Sequence, residues 1–283
     1  MTERTVRANG IEIWSEDFGK PTDPALLLVM GAGGQGVLWP DELCQALAAG
    51  GRRVIRYDNR DTGQSTCLDF AKSPYTLSDM ARDAIGVLDA LGIDTANVVG
   101  MSMGGMIAQE IAIQHPTRVR SLTSIMSTTG NPRVGRPKMR LVRKALRRKQ
   151  PTLDNAIDLS IETFRDVCGP TFDAEQFRAL AEKSIARSFR PDGTSRQLAA
   201  IIASPDRTDA LTRLRVPTLV IHGMLDPLVQ PSGGLATARA IPGAKLVMYN
   251  DMAHDLPHTR WKEIADEIAS IAARAPQPVG ATA

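Results

Sequence analysis

Little in this chain asks for a covalent or metallic staple. Its three cysteines, Cys44, Cys67 and Cys168, are scattered over 283 residues with no CxxC pair, so neither a zinc site nor a disulfide framework is expected. Long apolar runs are missing as well. The longest, such as Ala25–Met30, fall far short of the ~20 residues a membrane-spanning helix needs. A dominant charge is also absent: 34 Lys and Arg face 31 Asp and Glu, for a net charge of +3. Such a balance does not commit the chain to nucleic acid. The opening Met1-Thr2-Glu3-Arg4 mixes acid and base with no apolar stretch behind it, so no secretory signal is read and the cytoplasm is the expected compartment. With 43% hydrophobic residues global disorder is excluded, and the length is ample for one large domain that buries its own core.

What is present alternates strand and helix. Ile11–Trp14 alternates after an Asn9-Gly10 turn, Ala25–Met30 reads as a strand buried on both faces, and Arg53–Tyr57, Ala96–Gly100 and Ser121–Met126 follow as strands. Between them, Pro40–Ala49, Leu77–Leu91 and Met103–Gln114 carry apolar residues at helical spacing. Ser78 is the expected cap of the second of these helices and Gly92 its end. Strands vanish from Ser127 to about Arg207, where the sequence turns helical and rich in Arg, then resume at Val216–Ile221 and Ala244–Tyr249 around a Leu235–Ala240 helix. Trp261–Ala273 closes the pattern. This texture predicts an α/β fold with a mostly parallel central sheet flanked by helices. Residues 1–127 and 208–275 form the expected core, 128–207 an inserted helical cap above the strand C-termini, and 276–283 a flexible tail.

The sharpest chemical signal is Gly100-Met101-Ser102-Met103-Gly104, which follows a short apolar strand and opens a helix. A serine on such a turn is the arrangement of a nucleophile elbow: glycines let strand and helix approach, and the helix N-terminus favours a developing oxyanion. The plainer reading is a glycine-rich packing turn. A serine needs a base at neutral pH, and the chain holds only four histidines. In the order Ser, acid, His, His254 is the expected base, since it lies late in the chain after the last strand. His258 is the fallback, and His115 reads as a helix C-terminal residue facing the dipole. Asp226, in a loop stiffened by Pro227 just after a strand, is the expected acid. The N–H of Met103 and an amide of the Gly31–Gly34 loop would form the oxyanion hole; Ala32 is the choice and Gly33 the near alternative.

Taken together, Leu28–Gly33, Arg56–Ser65, Gly100–Gly105 and Asp226-Pro227 with His254 resemble the α/β-hydrolase family, over roughly residues 5–128 and 210–270. Trp14–Gly19, Asp23–Met30 and Val54–Tyr57 look more narrowly like the aclacinomycin methylesterase branch, which is similar to macrolide esterases. The resemblance implies Ser102 as nucleophile, Asp226 as acid, His254 as base, and Ala32 and Met103 as oxyanion donors, with no cofactor and no metal. Many family members carry His-Gly where this chain has Met30-Gly31.

The expected function is that of a serine esterase acting on a bulky ester or lactone. The main reading is macrolide ring-opening, which would confer antibiotic resistance. The alternatives are a polyketide methylesterase or another reaction of the same triad, such as carbon–carbon hydrolysis or perhydrolysis. A ligand receptor on a hydrolase scaffold is a rival from another class. Gly33, Gln35, Trp39, Met126, Phe164 and Phe189 are candidates to line the substrate pocket, each with plain core packing as its competitor. Arg133 to Lys149 holds nine Lys or Arg and no acid. With no interleaved aromatics it reads as a solvated helix face packing Met139, Val142 and Leu146 inward, rather than as a nucleic-acid or membrane patch. A small-molecule partner and a monomer or homodimer are expected.

Overall fold

The computed structural model describes residues 2–147 and 150–275; the expected tail 276–283 lies outside them. The chain opens on an antiparallel hairpin of β1 (Thr2–Ala8) and β2 (Ile11–Phe18). Its two turn residues, Asn9 and Gly10, have φ of 49° and 83°, the positive values that a two-residue turn needs to match strand twist. The alternation at Ile11–Trp14 is therefore the start of a longer strand. β1 has no counterpart in the sequence reading, because it is a largely exposed edge with few apolar residues to set a period.

Next come β3 (Ala25–Val29), β4 (Arg53–Tyr57), β5 (Ala96–Met101), β6 (Val119–Ile125), β7 (Thr218–Gly223) and β8 (Lys245–Tyr249). The eight strands form one sheet in the order β1-β2-β4-β3-β5-β6-β7-β8. The pairings of β2 with β1 and β4 are antiparallel and the rest are parallel. Successive β3 residues serve opposite faces, as the strand period of two requires. Leu27 and Val29 join the core beneath α2 (Leu77–Ala90) and α3 (Met103–Gln114), while Leu26 and Leu28 join the core beneath α1 (Asp41–Ala49) and α10 (Trp261–Ala273). Helix α9 (Ser232–Ala240) packs on β7 and β8.

Helix α2 starts two residues earlier than a Ser78 cap would place it. Thr76 holds the N-cap position, and its N–H and hydroxyl both donate to the Asp79 carboxylate. Ser78 lies inside the first turn, donating to Gln114 Oε1 and accepting from Arg82. The capping residue must have extended backbone, and Thr76 does, with φ −124° and ψ 178°.

Between β6 and β7 the chain is helical: α4 (Met139–Arg147), α5 (Ala156–Val167), α6 (Ala174–Arg187), α7 (Gly193–Ala203) and the short α8 (Thr208–Leu211). In α4 the expected packing is overturned. Leu141 is the buried residue, whereas Met139 and Leu146 are 61% and 83% exposed. The basic side of α4 faces α5, where Lys144 bridges Glu162 and Asp166 and Arg140 donates to the Asp166 carbonyl, and the apolar edge at Met139 and Leu146 turns outward. Helices α6 and α7 grip the core through ion pairs. Lys183 meets Asp41, Arg187 meets Asp58, and Arg196 meets Asp61, each at 3.0 Å, and the Arg187 guanidinium also lies over the Trp14 ring. Among the described residues no helix is long and apolar enough to cross a membrane.

One buried pair ties the first turn and the loop after β4 to helix α2. Asp83 on α2 accepts two 2.6 Å hydrogen bonds from Arg60 and one of 2.9 Å from Asn9 in the first turn. Removing one partner of a buried pair leaves the other charge uncompensated. Asp83→Ala is therefore expected to lower the unfolding free energy, measured by chemical denaturation, by about 3–5 kcal/mol. A loss in the ~0–1 kcal/mol range of an exposed pair would contradict this.

Candidate active site

Ser102 stands between the end of β5 and the first residue of α3, with φ 55° and ψ −122°. A non-glycine residue in that region costs on the order of 1–3 kcal/mol and persists only where its surroundings enforce it. Here they do. The Ser102 N–H donates to the Ile125 carbonyl at 2.9 Å, and the Ser127 hydroxyl donates to the Ser102 carbonyl at 2.8 Å. The glycines on either side allow the tight crossing: a Cβ on Gly100 would strike the Gly104 backbone, and one on Gly104 would strike Val29.

The structure brings Ser102, His254 and Asp226 together from three separate chain segments. Ser102 Oγ lies 3.0 Å from His254 Nε2, and His254 Nδ1 lies 2.7 Å from Asp226 Oδ2. A carboxylate can only accept, so Nδ1 carries the proton and Nε2 is left to accept from the serine hydroxyl. Asp226 is almost wholly buried, and its other oxygen accepts the amides of Leu228 and Val229, both at 2.8 Å. Burial pushes its pKa up, but the neighbouring His254 and His222 outweigh burial and hold it down at about 2. The His254 loop is itself braced by the helices between β6 and β7: the His254 N–H donates to the Val167 carbonyl at the end of α5, and Asp255 accepts the amides of Ala253 and Gly169.

The other three histidines make different contacts. His222, fully buried, donates from Nε2 to the Val229 carbonyl at 2.7 Å and sits 3.5 Å behind Asp226. His258 meets the Trp261 ring edge-on. His115 does cap α3, but burial and the nearby Arg118 and Arg82 push its pKa down. That opposes the cationic contact with the helix dipole expected from the sequence.

The amides of Ala32 and Met103 have no hydrogen-bond partner among the described residues. A Cβ on Gly31 would lie 3.7 Å from Ser102 Oγ, so the Ala32 loop adjoins the hydroxyl. The Gly33 amide, the near alternative, is occupied: it donates to Gln197 Oε1 at 2.7 Å. Ala32 and Met103 are thus the amides free to meet an oxyanion beside Ser102. A donated proton, an accepting imidazole and two unused amides suit acyl transfer by an activated hydroxyl.

The remaining pocket candidates carry structural contacts. Gln35 is buried, donating to the carbonyls of Ser184 and Ser188 and accepting from Arg187. Trp39 and Met126 belong to the core beneath α1 and α10, and Phe164 on α5 stacks on Phe177 on α6 at a 4.0 Å centroid distance. Phe189 lines a small pocket of about 200 Å³ with Cys67, Arg190 and Arg196, none of them a triad residue. Sequence reasoning missed Ser127, Arg187 and Gln197. Each acts on a partner at least 25 positions away, and no local spacing encodes such a contact.

The fold and this site define an α/β hydrolase. The chain belongs to that family, whose model for the alpha/beta hydrolase fold matches residues 24–260. It is similar to the rhodomycin D methylesterase DauP of Streptomyces sp. strain C5, with 34% identity over 95% of this chain and 98% of that protein. The rhodomycin D methylesterase DnrP of Streptomyces peucetius is 33% identical over the same shares. Among solved structures, the enol-lactonase from Burkholderia xenovorans LB400 shares the fold with a TM-score of 0.77, covering 96% of this chain and 100% of that one at 23% identity. Family and relatives place the protein among the carboxylic-ester hydrolases.

Because Asp226 titrates near 2 in the folded protein, it is charged wherever an imidazole changes state. The acidic limb of kcat/KM is therefore expected to follow one proton, with a slope of one in a log plot. A slope of two would show Asp226 titrating alongside the histidine. The same depression adds stability that is complete above the ordinary Asp value of 3.8 and is lost as pH falls through about 2.

Proposed function

We propose that the protein hydrolyses the methyl ester of a bulky polyketide, of the anthracycline class, through an acyl-enzyme on Ser102. His254 Nε2 takes the hydroxyl proton as Ser102 Oγ attacks the ester carbonyl. Asp226 holds the imidazole in its tautomer and stabilises the imidazolium that forms. The amides of Ala32 and Met103 carry the tetrahedral oxyanion, and each such donor is worth about 2.7–4 kcal/mol. His254 then returns the proton to the departing methoxide, releasing methanol. Water, activated by the same imidazole, cleaves the acyl-enzyme to the free acid and restores Ser102. Every proton and electron pair in this scheme is carried by these residues, substrate and water.

The observation that carries the chemistry is the continuous chain of hydrogen bonds from Ser102 through His254 to Asp226. The choice of substrate rests on the near full-length likeness to two rhodomycin D methylesterases. That likeness favours the methylesterase over the macrolide ring-opening that was the main expectation from sequence, and with it a role in polyketide tailoring over antibiotic resistance.

Incubation with an anthracycline methyl ester, followed by mass spectrometry, is expected to yield methanol and an acid lighter by one methylene. Ser102→Ala should lower kcat by roughly 10⁵- to 10⁶-fold with the fold retained by circular dichroism. Inert anthracycline esters together with macrolides that gain one water would overturn the substrate assignment. Full activity in the Ser102→Ala variant would overturn the mechanism.

A further inference from the structure

Helix α7 lies far along the chain from the oxyanion loop, yet it reaches directly into it. Its Gly193, Gln197 and Ala200 are buried, one stripe at helical spacing turned toward the core. The helix is fixed at its start: Gly193 packs so closely on Asp61 that a Cβ there would strike the Asp61 carbonyl, and Arg196 pairs with the Asp61 carboxylate. One turn on, the fully buried Gln197 amide bridges two core loops. Its Oε1 accepts the Gly33 N–H and its Nε2 donates to the Arg60 carbonyl, both at 2.7 Å. Only one orientation of the amide satisfies both partners, because an N–H needs an acceptor and a carbonyl needs a donor.

The loop it holds is a tight turn. The Gly34 N–H donates to the Gly31 carbonyl at 3.2 Å, and Gly33 has φ +71°. A positive φ at the third position marks a type II turn, which interconverts with type I by a flip of the central peptide. That central peptide joins Ala32 to Gly33, and its N–H is the one that Gln197 captures. Thr194, on the same helix, closes over Gly33 so tightly that no side chain fits there.

We propose that Gln197 is a positioning residue for the oxyanion hole, by which the helical insertion sets the turn that presents the Ala32 amide to the reacting carbonyl. The proposal rests on the acyl-enzyme reading above. In it the helical segment completes the catalytic apparatus: with the Gly33 N–H released, the Gly31–Gly34 turn is no longer held in one form, and the Ala32 amide, one peptide earlier in the same turn, is displaced from the reacting carbonyl for part of the time. The effect falls on the transition state, where the oxyanion exists, and spares ground-state binding.

Gln197→Met keeps the shape of the side chain and removes both hydrogen bonds. With p-nitrophenyl acetate, at a temperature well below its melting transition, it is expected to lower kcat by about tenfold or more, within the 10²- to 10³-fold of losing a donor outright. KM should change by less than about twofold, as when only transition-state contacts are lost. Inhibition by a trifluoromethyl ketone, whose adduct places an oxyanion in the hole, should weaken by a similar factor. Gln197→Glu, which keeps an acceptor for the Gly33 N–H, should recover most of kcat, and it serves as the primary variant if Gln197→Met does not fold. A wild-type kcat in Gln197→Met with only a lower melting temperature would overturn the proposal. So would a Gln197→Glu variant that folds yet loses kcat by tenfold. Failure of the underlying reading looks different, because the wild-type enzyme would then not turn over the ester at all, or Ser102→Ala would match it.

Discussion

The structure depends on one strained residue. Ser102 occupies a backbone region that side chains avoid, and much of the sheet's centre is arranged to keep it there. β5 supplies the strand that stops abruptly, and α3 supplies the helix that starts at once. β6 contributes the Ile125 carbonyl, and the residue two beyond its end, Ser127, pins the Ser102 carbonyl. The reward is a hydroxyl lifted above the sheet with the Met103 amide beside it. A relaxed serine in the middle of a strand or helix would offer neither the exposure nor the unpaired donor.

The partners of Ser102 come from the C-terminal ends of later strands, where an open α/β sheet leaves room for a site. Asp226 follows β7 and His254 follows β8, so strand order places the carboxylate and the imidazole side by side. Their loops are stiffened by backbone contacts, with two amides on Asp226 Oδ1 and the Val167 carbonyl on the His254 N–H. The second of these comes from the helices between β6 and β7, as does the Gln197 contact to Gly33. These helices and the loops at the strand ends therefore shape the site jointly, through the α5 terminus on one side and α7 on the other. The ion pairs of Arg187 and Arg196 with the fully buried Asp58 and Asp61 hold α6 and α7 in register with the core.

How much of this is legible in the sequence follows from the range of each interaction. Ser102 can be read because its strand, turn glycines and helix lie within a dozen residues. Asp226 and His254 can be read because the order of the motif and the strand ends confine the choice. The buried parallel strands announce themselves as apolar runs, whereas the edge strand β1 does not, because solvent on its outer side leaves no pattern. The Leu141 face of α4 is misread from sequence, since the partners of its basic residues, Glu162 and Asp166 on α5, lie outside the segment whose period is read. Gln197 is silent for the same reason: its partners lie 164 and 137 positions away. Trp39 and Met126, apolar residues that the sequence offers for a pocket, sit within the core beneath α1 and α10, and no sequence pattern separates the two roles.

The central claim is that the Ser102 hydroxyl, made nucleophilic by His254 and Asp226, forms a covalent bond with the acyl group. Stoichiometric reaction with a fluorophosphonate, followed by digestion and peptide mass mapping, tests it most directly. The account predicts one adduct per chain, on the peptide that contains Ser102, with loss of esterase activity in the same proportion. An adduct on another residue, or an enzyme that remains active and unlabelled, would contradict it.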